Sequence, residues 1–159
     1  MTFFDAARAA GLAATTGMDG LEAGHRGIVK CAAGTSVSGS VNMDEAFRIT
    51  EGQSNRWDYG LGFRMNGQEF AVWIEPHSAT SAREIDTMIR KLRWLKLKLA
   101  TNEFRMLWKL TENTRNKEWR QYWWVTSGTI GIRSGTREAN RLASVGINFP
   151  CRNVVLGRD

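Results

Sequence analysis

Two runs of apolar residues flank an Asn-Gly pair in the middle of the chain, and they are its clearest structural signal. Residues 57–65 alternate between apolar and polar or small residues, whereas residues 70–74 are apolar without interruption. An Asn-Gly dipeptide between two such runs is typical of a tight hairpin turn. We therefore predict two antiparallel strands joined by Asn66 and Gly67. The uninterrupted run favours a strand buried on both faces, and Pro76 is expected to end it.

The next pattern repeats at the period of an α-helix. Apolar residues recur at three- and four-residue steps, at Ile85, Met88, Leu92, Leu95 and Leu99. This spacing predicts an amphipathic helix over 81–99 whose apolar stripe packs on the sheet. Ser81 and Glu84 stand three residues apart at its beginning, which is the pattern of a capping box.

Weaker patterns fill the remainder of the chain. Helices are predicted over 2–14, 43–49 and 136–145, and strands over 28–33, 119–132 and 153–156. A break of the strand over 119–132 at Ser127 and Gly128 stays open. Turn-like or polar connections are predicted over 35–41 and 111–117, and residues 103–110 either extend the previous helix or form another. This order predicts a single α/β domain over 1–159, with a mixed β-sheet flanked by helices. Its core is expected to span roughly 28–156, after an N-terminal helix and loop over 1–27.

Composition excludes several classes of protein. A length of 159 residues suits one domain, and the apolar and charged fractions of 42% and 24% exclude a disordered chain. No apolar run approaches the ~18 residues of a membrane span, and the first residues lack the basic and apolar regions of a signal peptide. We therefore expect a soluble, cytoplasmic protein that does not bind membranes.

The residues that zinc prefers are scarce in this chain. Cys31 and Cys151 lie far apart, and the only histidines are His25 and His77. These spacings argue against a disulfide framework and exclude the common CxxC and HExxH zinc motifs. A metal would depend mainly on carboxylates, which favours magnesium, manganese or calcium. His25 lies in a Gly-rich segment and receives no predicted role.

Positive charge is concentrated in the second half of the chain. Residues 81–124 hold 11 Lys or Arg against 5 Asp or Glu, and the net charge of the whole chain is +6. Such a surface favours a phosphate backbone as partner, although a solvated helix face would produce the same count. The same stretch contains tryptophans that either stack on bases or belong to the core, namely Trp94, Trp108, Trp119, Trp123 and Trp124.

Two acidic residues mark the open end of the predicted hairpin. Asp58 and Glu75 flank the Asn-Gly turn symmetrically, so antiparallel pairing makes them cross-strand neighbours. Like charges there destabilise the pair unless a cation lies between them, and converging carboxylates form a site for a hard cation. His77 follows closely enough to donate a hydrogen bond, ligate the metal or act as a base. The structural alternative is that Asp58 serves only in a turn and that the segment from Glu75 to His77 only ends a strand.

These residues resemble a known family. The segment Asn55-Arg-Trp-Asp58, sixteen further residues, then Glu75-Pro-His77 and the basic helix resemble the core of the PD-(D/E)XK nuclease superfamily. In that superfamily an Asp on one strand and an acid-x-Lys on the next bind magnesium and cut DNA or RNA. The resemblance covers roughly 43–99 and implies a restriction endonuclease-like core with Mg²⁺ or Mn²⁺ as cofactor. It implies metal binding by Asp58 and Glu75, with Glu45 or Asp44 as an additional acid.

His77 stands where the superfamily normally has its lysine. Some members carry that lysine on the following helix, where Lys91 is the candidate and Lys96 is less favoured because it lies further from the helix start. The resemblance thus implies a catalytic set of Asp58, Glu75, His77 and Lys91. The changed motif also leaves open a non-catalytic nucleic-acid-binding or assembly subunit on the same scaffold.

The cations of the basic stretch are the predicted contacts of a nucleic-acid backbone, namely Arg90, Lys91, Arg93, Lys96, Lys98, Arg105 and Lys109. Helical geometry groups Arg90, Lys91 and Lys98 away from the apolar stripe, so we expect these three to be exposed. DNA is favoured over RNA as partner, and the resemblance also implies a homodimer or a subunit of a larger complex. A protein-interaction domain that does not bind nucleic acid is a third interpretation.

Overall fold

The structure, a computed structural model, describes residues 1–158. Within that range the strands are β1 (Thr15–Thr16), β2 (Val29–Cys31), β3 (Thr35–Asn42), β4 (Tyr59–Met65), β5 (Gln68–Pro76), β6 (Tyr122–Val125) and β7 (Val154–Leu156). The α-helices are α1 (Phe3–Ala9), α2 (Met43–Phe47), α3 (Arg83–Leu99), α4 (Arg105–Asn116) and α5 (Arg137–Val145). A mixed sheet has the order β1-β3-β4-β5-β6, and β2 pairs with β7 in a small parallel sheet. The α/β class and the mixed sheet flanked by helices are confirmed.

The β4–β5 hairpin has the predicted turn and register. Tyr59 pairs with Ile74 at the open end, and Met65 pairs with Gln68 beside the turn. Asn66 and Gly67 have φ values of 52° and 76°, the left-handed conformation that a two-residue turn needs at both positions. The sequence therefore fixes which residues meet at the open end.

The sheet is covered on both faces. One face of β5 contributes Ala71 and Trp73 to a core shared with α1, α3, α4 and α5. The other face contributes Phe70, Val72 and Ile74 to a second core shared with β2 and β7. A strand buried on both faces is what the uninterrupted apolar run predicted.

Strand β6 runs parallel to β5, and Pro76 pairs with Val125 near the ends of both strands. The connection between them contains α3 and α4, which is the helical crossover that parallel neighbours require. The carboxyl ends of β5 and β6 therefore meet at one edge, beside the open end of the hairpin. The strand predicted over 119–132 is wrong in its extent, since only Tyr122–Val125 is a strand.

Residues 35–42 form strand β3, so the predicted turn over 35–41 is wrong. Their small side chains carry no apolar period because helix α1 packs closely against the sheet there. A Cβ added to Gly62 would overlap the Phe3 side chain, and one added to Gly39 would lie 3.0 Å from the Phe4 ring. Phe3 is fully buried in the main core. The core therefore extends to the N-terminal helix, beyond the 28–156 range.

Residues 111–117 were predicted as a polar connection, but most of them continue helix α4. Thr111 and Thr114 are buried and polar, which conceals the helical pattern in the sequence. The Thr111 hydroxyl accepts a hydrogen bond from Nε1 of Trp73, and the Thr114 hydroxyl donates to the carbonyl of Ala71. These bonds attach the helix to β5.

The tryptophans of the basic stretch divide between core and surface. Trp94 and Trp124 are buried, and Trp119 and Trp123 are partly buried. Trp108 remains 39% exposed. Among residues 1–158, no helix is both long enough and apolar enough to cross a membrane.

Candidate functional site

Asp58 and Glu75 meet at the open end of the hairpin, as their symmetry about the turn predicted. The backbone N–H of Asp58 donates to Oε1 of Glu75 at 2.8 Å. The Glu75 side chain is 1% exposed, whereas the Asp58 side chain is 25% exposed. One carboxylate is thus fixed inside the protein and the other reaches solvent beside it.

Lys91 reaches both carboxylates from helix α3. Its Nζ donates to Oε2 of Glu75 at 2.7 Å and lies 3.9 Å from Oδ1 of Asp58. The Lys91 side chain is 17% exposed, so the helix turns this lysine toward the hairpin. We refer to Asp58, Glu75 and Lys91 as the acid–lysine cluster.

One ammonium group faces two carboxylates in this cluster. Burial, followed by repulsion from Asp58, raises the pKa of Glu75 to about 8, although Lys91 opposes the rise. Burial also raises the pKa of Asp58, with Lys91 opposing and Asp44 adding to the rise. Both shifts mean that an additional positive charge would stabilise the ionised carboxylates.

His77 is held between two carboxylates at the edge of the cluster. Its Nε2 lies 2.6 Å from Oε2 of Glu84, and its Nδ1 lies 3.8 Å from Oε2 of Glu75. Glu84 belongs to the first turn of α3, where the sequence predicted a capping box with Ser81. That prediction is wrong because the N-cap position, Ala82, has no side-chain cap and the Glu84 carboxylate binds His77 instead.

The acids of helix α2 are placed differently from each other. The N–H of Met43 donates to the carbonyl of Asp58 at 2.7 Å, which fixes the helix beside the cluster. Asp44 is in ion pairs with Arg48 and Arg56, each at 3.0 Å. Glu45 is exposed and lines a separate cavity with Asp19 and Asn42 among others. Of these two acids, Asp44 is the one whose charge contributes to the raised pKa of Asp58.

The predicted exposed face of Arg90, Lys91 and Lys98 is not formed. Lys91 belongs to the cluster, and Lys98 forms an ion pair with Glu51 and lies 4.5 Å from the ring centroid of Phe47. Both lysines are partly buried because α3 has a second contact face besides its apolar stripe. Lys96 donates to the carbonyl of Val145 at 3.0 Å. The remaining predicted cations are exposed, namely Arg90, Arg93, Arg105 and Lys109.

Sequence reasoning missed His25. This residue lies in a 3-10 turn, Ala23–Ile28, and its Nδ1 is 2.8 Å from the hydroxyl of Tyr59. Tyr59 follows Asp58 directly, so the turn is attached beside the cluster. Both histidines of the chain line one cavity of about 380 Å³. The only sequence signal that pointed to His25 was that the chain has so few histidines.

The chemistry of the cluster fits a hard divalent cation. Magnesium is usually bound through one or two carboxylates, with water and phosphate oxygens completing its coordination. Asp58 and Glu75 supply two such carboxylates, and burial is the largest cause of the raised pKa of each. No group of three or more His, Cys, Asp or Glu that could hold a metal ion is present within residues 1–158. The remaining coordination would come from water and substrate.

No protein-family model, curated protein or solved structure matches the chain. Two adjacent carboxylates, a fixed ammonium and an oriented imidazole can bind a cation, neutralise a phosphate and position water.

Proposed function

We propose that the protein is a metal-dependent nuclease that cleaves phosphodiester bonds of nucleic acid, with a restriction endonuclease-like core. The observation that supports this most is the position of Lys91, whose Nζ lies 2.7 Å from Glu75 and 3.9 Å from Asp58. A PD-(D/E)XK motif needs a lysine beside its two acids, and His77 occupies the usual lysine position. Lys91 supplies an ammonium to the acid pair from the following helix.

Each member of the set has a distinct role in this proposal. Asp58 and Glu75 would hold Mg²⁺ or Mn²⁺, which when bound supplies charge neutralisation at the phosphate and activation of water. Lys91 neutralises the charge of the ionised Glu75 carboxylate. In this proposal its ammonium also stabilises the negative charge that develops on the phosphate. His77 is oriented by Glu84 and presents Nδ1 toward the cluster, where it can accept a hydrogen bond from water.

Among the predicted phosphate contacts, Arg90 and Arg93 are the closest in sequence to Lys91. Arg90 and Arg93 are both exposed and lie three residues apart, one turn from each other along the helix. In this proposal a nucleic-acid backbone bound by these two arginines runs along α3, the helix that carries Lys91. Arg105 and Lys109 extend the basic surface onto α4.

A non-catalytic nucleic-acid-binding subunit is the second candidate, and one observation favours it. Both carboxylate oxygens of Glu75 already accept hydrogen bonds from the protein, from the N–H of Asp58 and from Lys91. A cluster satisfied in this way also serves as a structural ion pair.

Cleavage of supercoiled plasmid and of labelled single-stranded DNA and RNA, with Mg²⁺ or Mn²⁺ and with EDTA, tests the proposal. We expect metal-dependent cleavage that is lost in Asp58→Asn, Glu75→Gln and Lys91→Met. Lys98→Met is the matched control, because Lys98 is a partly buried lysine of the same helix in an ion pair with a glutamate. Circular dichroism should show that both lysine variants are folded. We then expect Lys98→Met to retain nucleic-acid cleavage and Lys91→Met to lose it.

The opposite outcomes are equally specific. Cleavage that survives in Asp58→Asn would overturn the nuclease assignment of this cluster. Binding of nucleic acid by the wild type without cleavage under any metal condition would establish the non-catalytic subunit instead. Absence of both binding and cleavage at moderate salt would favour a protein-interaction domain.

A further inference from the structure

A cavity of about 380 Å³ lies where the 3-10 turn at Ala23–Ile28 meets the carboxyl ends of β5 and β6. Its lining includes both histidines and the hydroxyl residues Ser78, Thr126 and Ser127. The cavity is adjacent to the acid–lysine cluster, because Nδ1 of His77 is 3.8 Å from Oε2 of Glu75.

The imidazole and hydroxyl groups of the walls can donate hydrogen bonds to an anion, while the carboxylates of Glu84 and Glu75 contact His77 from outside the lining. The lining residues that the structure describes are histidine, serine, threonine, glycine, proline and aliphatic residues, and none of them is acidic.

Arg152 lies behind one wall and donates to the carbonyls of Thr126 and Gly128. Two of the carbonyls in this turn thereby accept hydrogen bonds. The Thr126 hydroxyl accepts the N–H of Gly128 at 3.3 Å and keeps its own O–H as a donor, and the Ser78 hydroxyl lies 3.2 Å from that of Thr80.

The hydrogen-bond partners of the Tyr59 hydroxyl favour a proton on Nε2 of His25. The Tyr59 hydroxyl accepts the N–H of Glu22 at 3.3 Å and lies 2.8 Å from Nδ1 of His25. Because the Tyr59 hydroxyl already accepts the N–H of Glu22, its own O–H can donate to Nδ1. With Nδ1 as the acceptor, His25 carries its proton on Nε2, and that atom is a hydrogen-bond donor.

We infer that this cavity binds a phosphate group of the nucleic-acid strand and that His25 donates to it through Nε2, with Tyr59 as the residue that positions the imidazole. The inference rests on the proposed function and deepens it, because it places the strand across the ends of β5 and β6, next to the cluster. The phosphate is either an internal phosphodiester or a terminal monoester, and both present the same anionic oxygens.

Side-chain NMR of the full chain tests the inference directly, since only two histidines contribute imidazole signals. Thymidine 5′-monophosphate, the dinucleotide TpT and unphosphorylated thymidine are titrated in EDTA, so that no cleavage occurs. We expect saturable shifts of the His25 signals with the phosphate-bearing probes and none with thymidine. A tighter response to TpT than to the monophosphate identifies an internal phosphodiester as the ligand, and the reverse order identifies a terminal phosphate.

Two variants separate donation from positioning. His25→Gln should weaken binding of the preferred probe at least about tenfold, because a hydrogen bond to a charged group is lost. Tyr59→Phe keeps the ring but removes the hydroxyl, so we expect a weaker probe response together with changed His25 tautomer signals. Unchanged probe affinity in a folded His25→Gln protein, or an equal response to thymidine, would overturn the inference.

The outcome is separable from that of the proposed function. Phosphate binding at His25 in a protein that never cleaves nucleic acid would leave the cavity assigned and the nuclease proposal refuted. Cleavage that depends on Asp58 but keeps its KM in His25→Gln would leave the nuclease proposal intact and refute the phosphate site.

Discussion

Lys91 and Asp58 bind different oxygens of the Glu75 carboxylate. The ammonium of Lys91 donates to Oε2 at 2.7 Å, and the N–H of Asp58 donates to Oε1. The Glu75 carboxylate is therefore held from the helix on one side and from the hairpin on the other. Because its position is fixed before any ligand binds, little reorganisation is needed when charge develops nearby.

The stability of the metal-free protein should fall as pH rises from about 5 to 8. The pKa of Glu75 is raised from its ordinary value of 4.5 to about 8 in the folded protein. Between these values the folded state retains a proton that the unfolded state releases, so increasing pH favours unfolding, by up to ~1.4 kcal/mol per pH unit. Urea unfolding in EDTA measures this slope, which should flatten in Glu75→Gln. A wild-type slope of the opposite sign would contradict the raised pKa.

Replacing Lys91 should destabilise the fold as well as abolish cleavage. Lys91→Met leaves the buried Glu75 without its cation, and removal of one partner of a buried ion pair typically costs ~3–5 kcal/mol, a loss expected in full only above pH 8, where Glu75 is ionised in the wild type. Protonation of Glu75 reduces the loss at low pH, so the difference from wild type should be larger at high pH. Denaturant midpoints provide the measurement. Lys109→Met, at an exposed position of α4, should stay within ~0.5 kcal/mol of wild type.

Divalent cations should stabilise the folded protein. If Mg²⁺ or Mn²⁺ binds Asp58 and Glu75, a concentration tenfold above the dissociation constant adds ~1.4 kcal/mol to the free energy of unfolding. The gain should be smaller at low pH, where protons compete for the same carboxylates, and it should vanish in Asp58→Asn. Thermal melts with and without EDTA measure it. Equal stabilisation of wild type and Asp58→Asn would place the cation elsewhere.

The close approach of α1 to the sheet predicts a sharp difference between two glycines. A Cβ at Gly62 would overlap the Phe3 side chain, whereas a Cβ at Gly27 would meet no atom within 4 Å. We expect Gly62→Ala to cost ~1–3 kcal/mol through overpacking and Gly27→Ala to be nearly neutral. Urea unfolding of both variants decides the point, and equal midpoints would mean that α1 moves away from the sheet without cost.

Arg90 and Arg93, two of the exposed arginines of α3, should contribute to the salt dependence of nucleic-acid binding. Replacing Arg90 and Arg93 by alanine should leave the fold intact and lower the log–log salt slope by up to ~2, about one unit for each lost phosphate contact. Fluorescence anisotropy with labelled DNA at several salt concentrations gives the slope. An unchanged slope would move the backbone path to Arg105 and Lys109 on α4.

Local sequence signals predicted the hairpin and its register because Asn66 and Gly67 determine the turn. The meeting of Asp58 with Glu75 follows from that register alone. Helix α5 was equally readable, since Thr136 caps its first turn and Gly146 ends it with a φ of 91°. Such features depend on neighbours in sequence, which is why a single chain reveals them.

Features that depend on residues far away in the sequence could not be predicted from the sequence. Strand β3 lacks an apolar period because α1 requires small residues there, and α4 conceals its period behind buried threonines. His25 approaches the cluster only because the Tyr59 hydroxyl holds it. The metal, nucleic-acid and catalytic roles of the site remain predictions of the residue pattern and its resemblance.

The connectivity of the two neighbouring sites has a kinetic consequence. Asp58, Glu75 and Lys91 come from one contiguous stretch built on a hairpin and the helix that follows it. The cavity lined by both histidines needs residues from an N-terminal turn, the end of β5 and the loop after β6, which join only after the long crossover closes. Local contacts form faster than distant ones. We therefore expect the pairing of Asp58, Glu75 and Lys91 to form earlier in folding than the surface that would receive the strand.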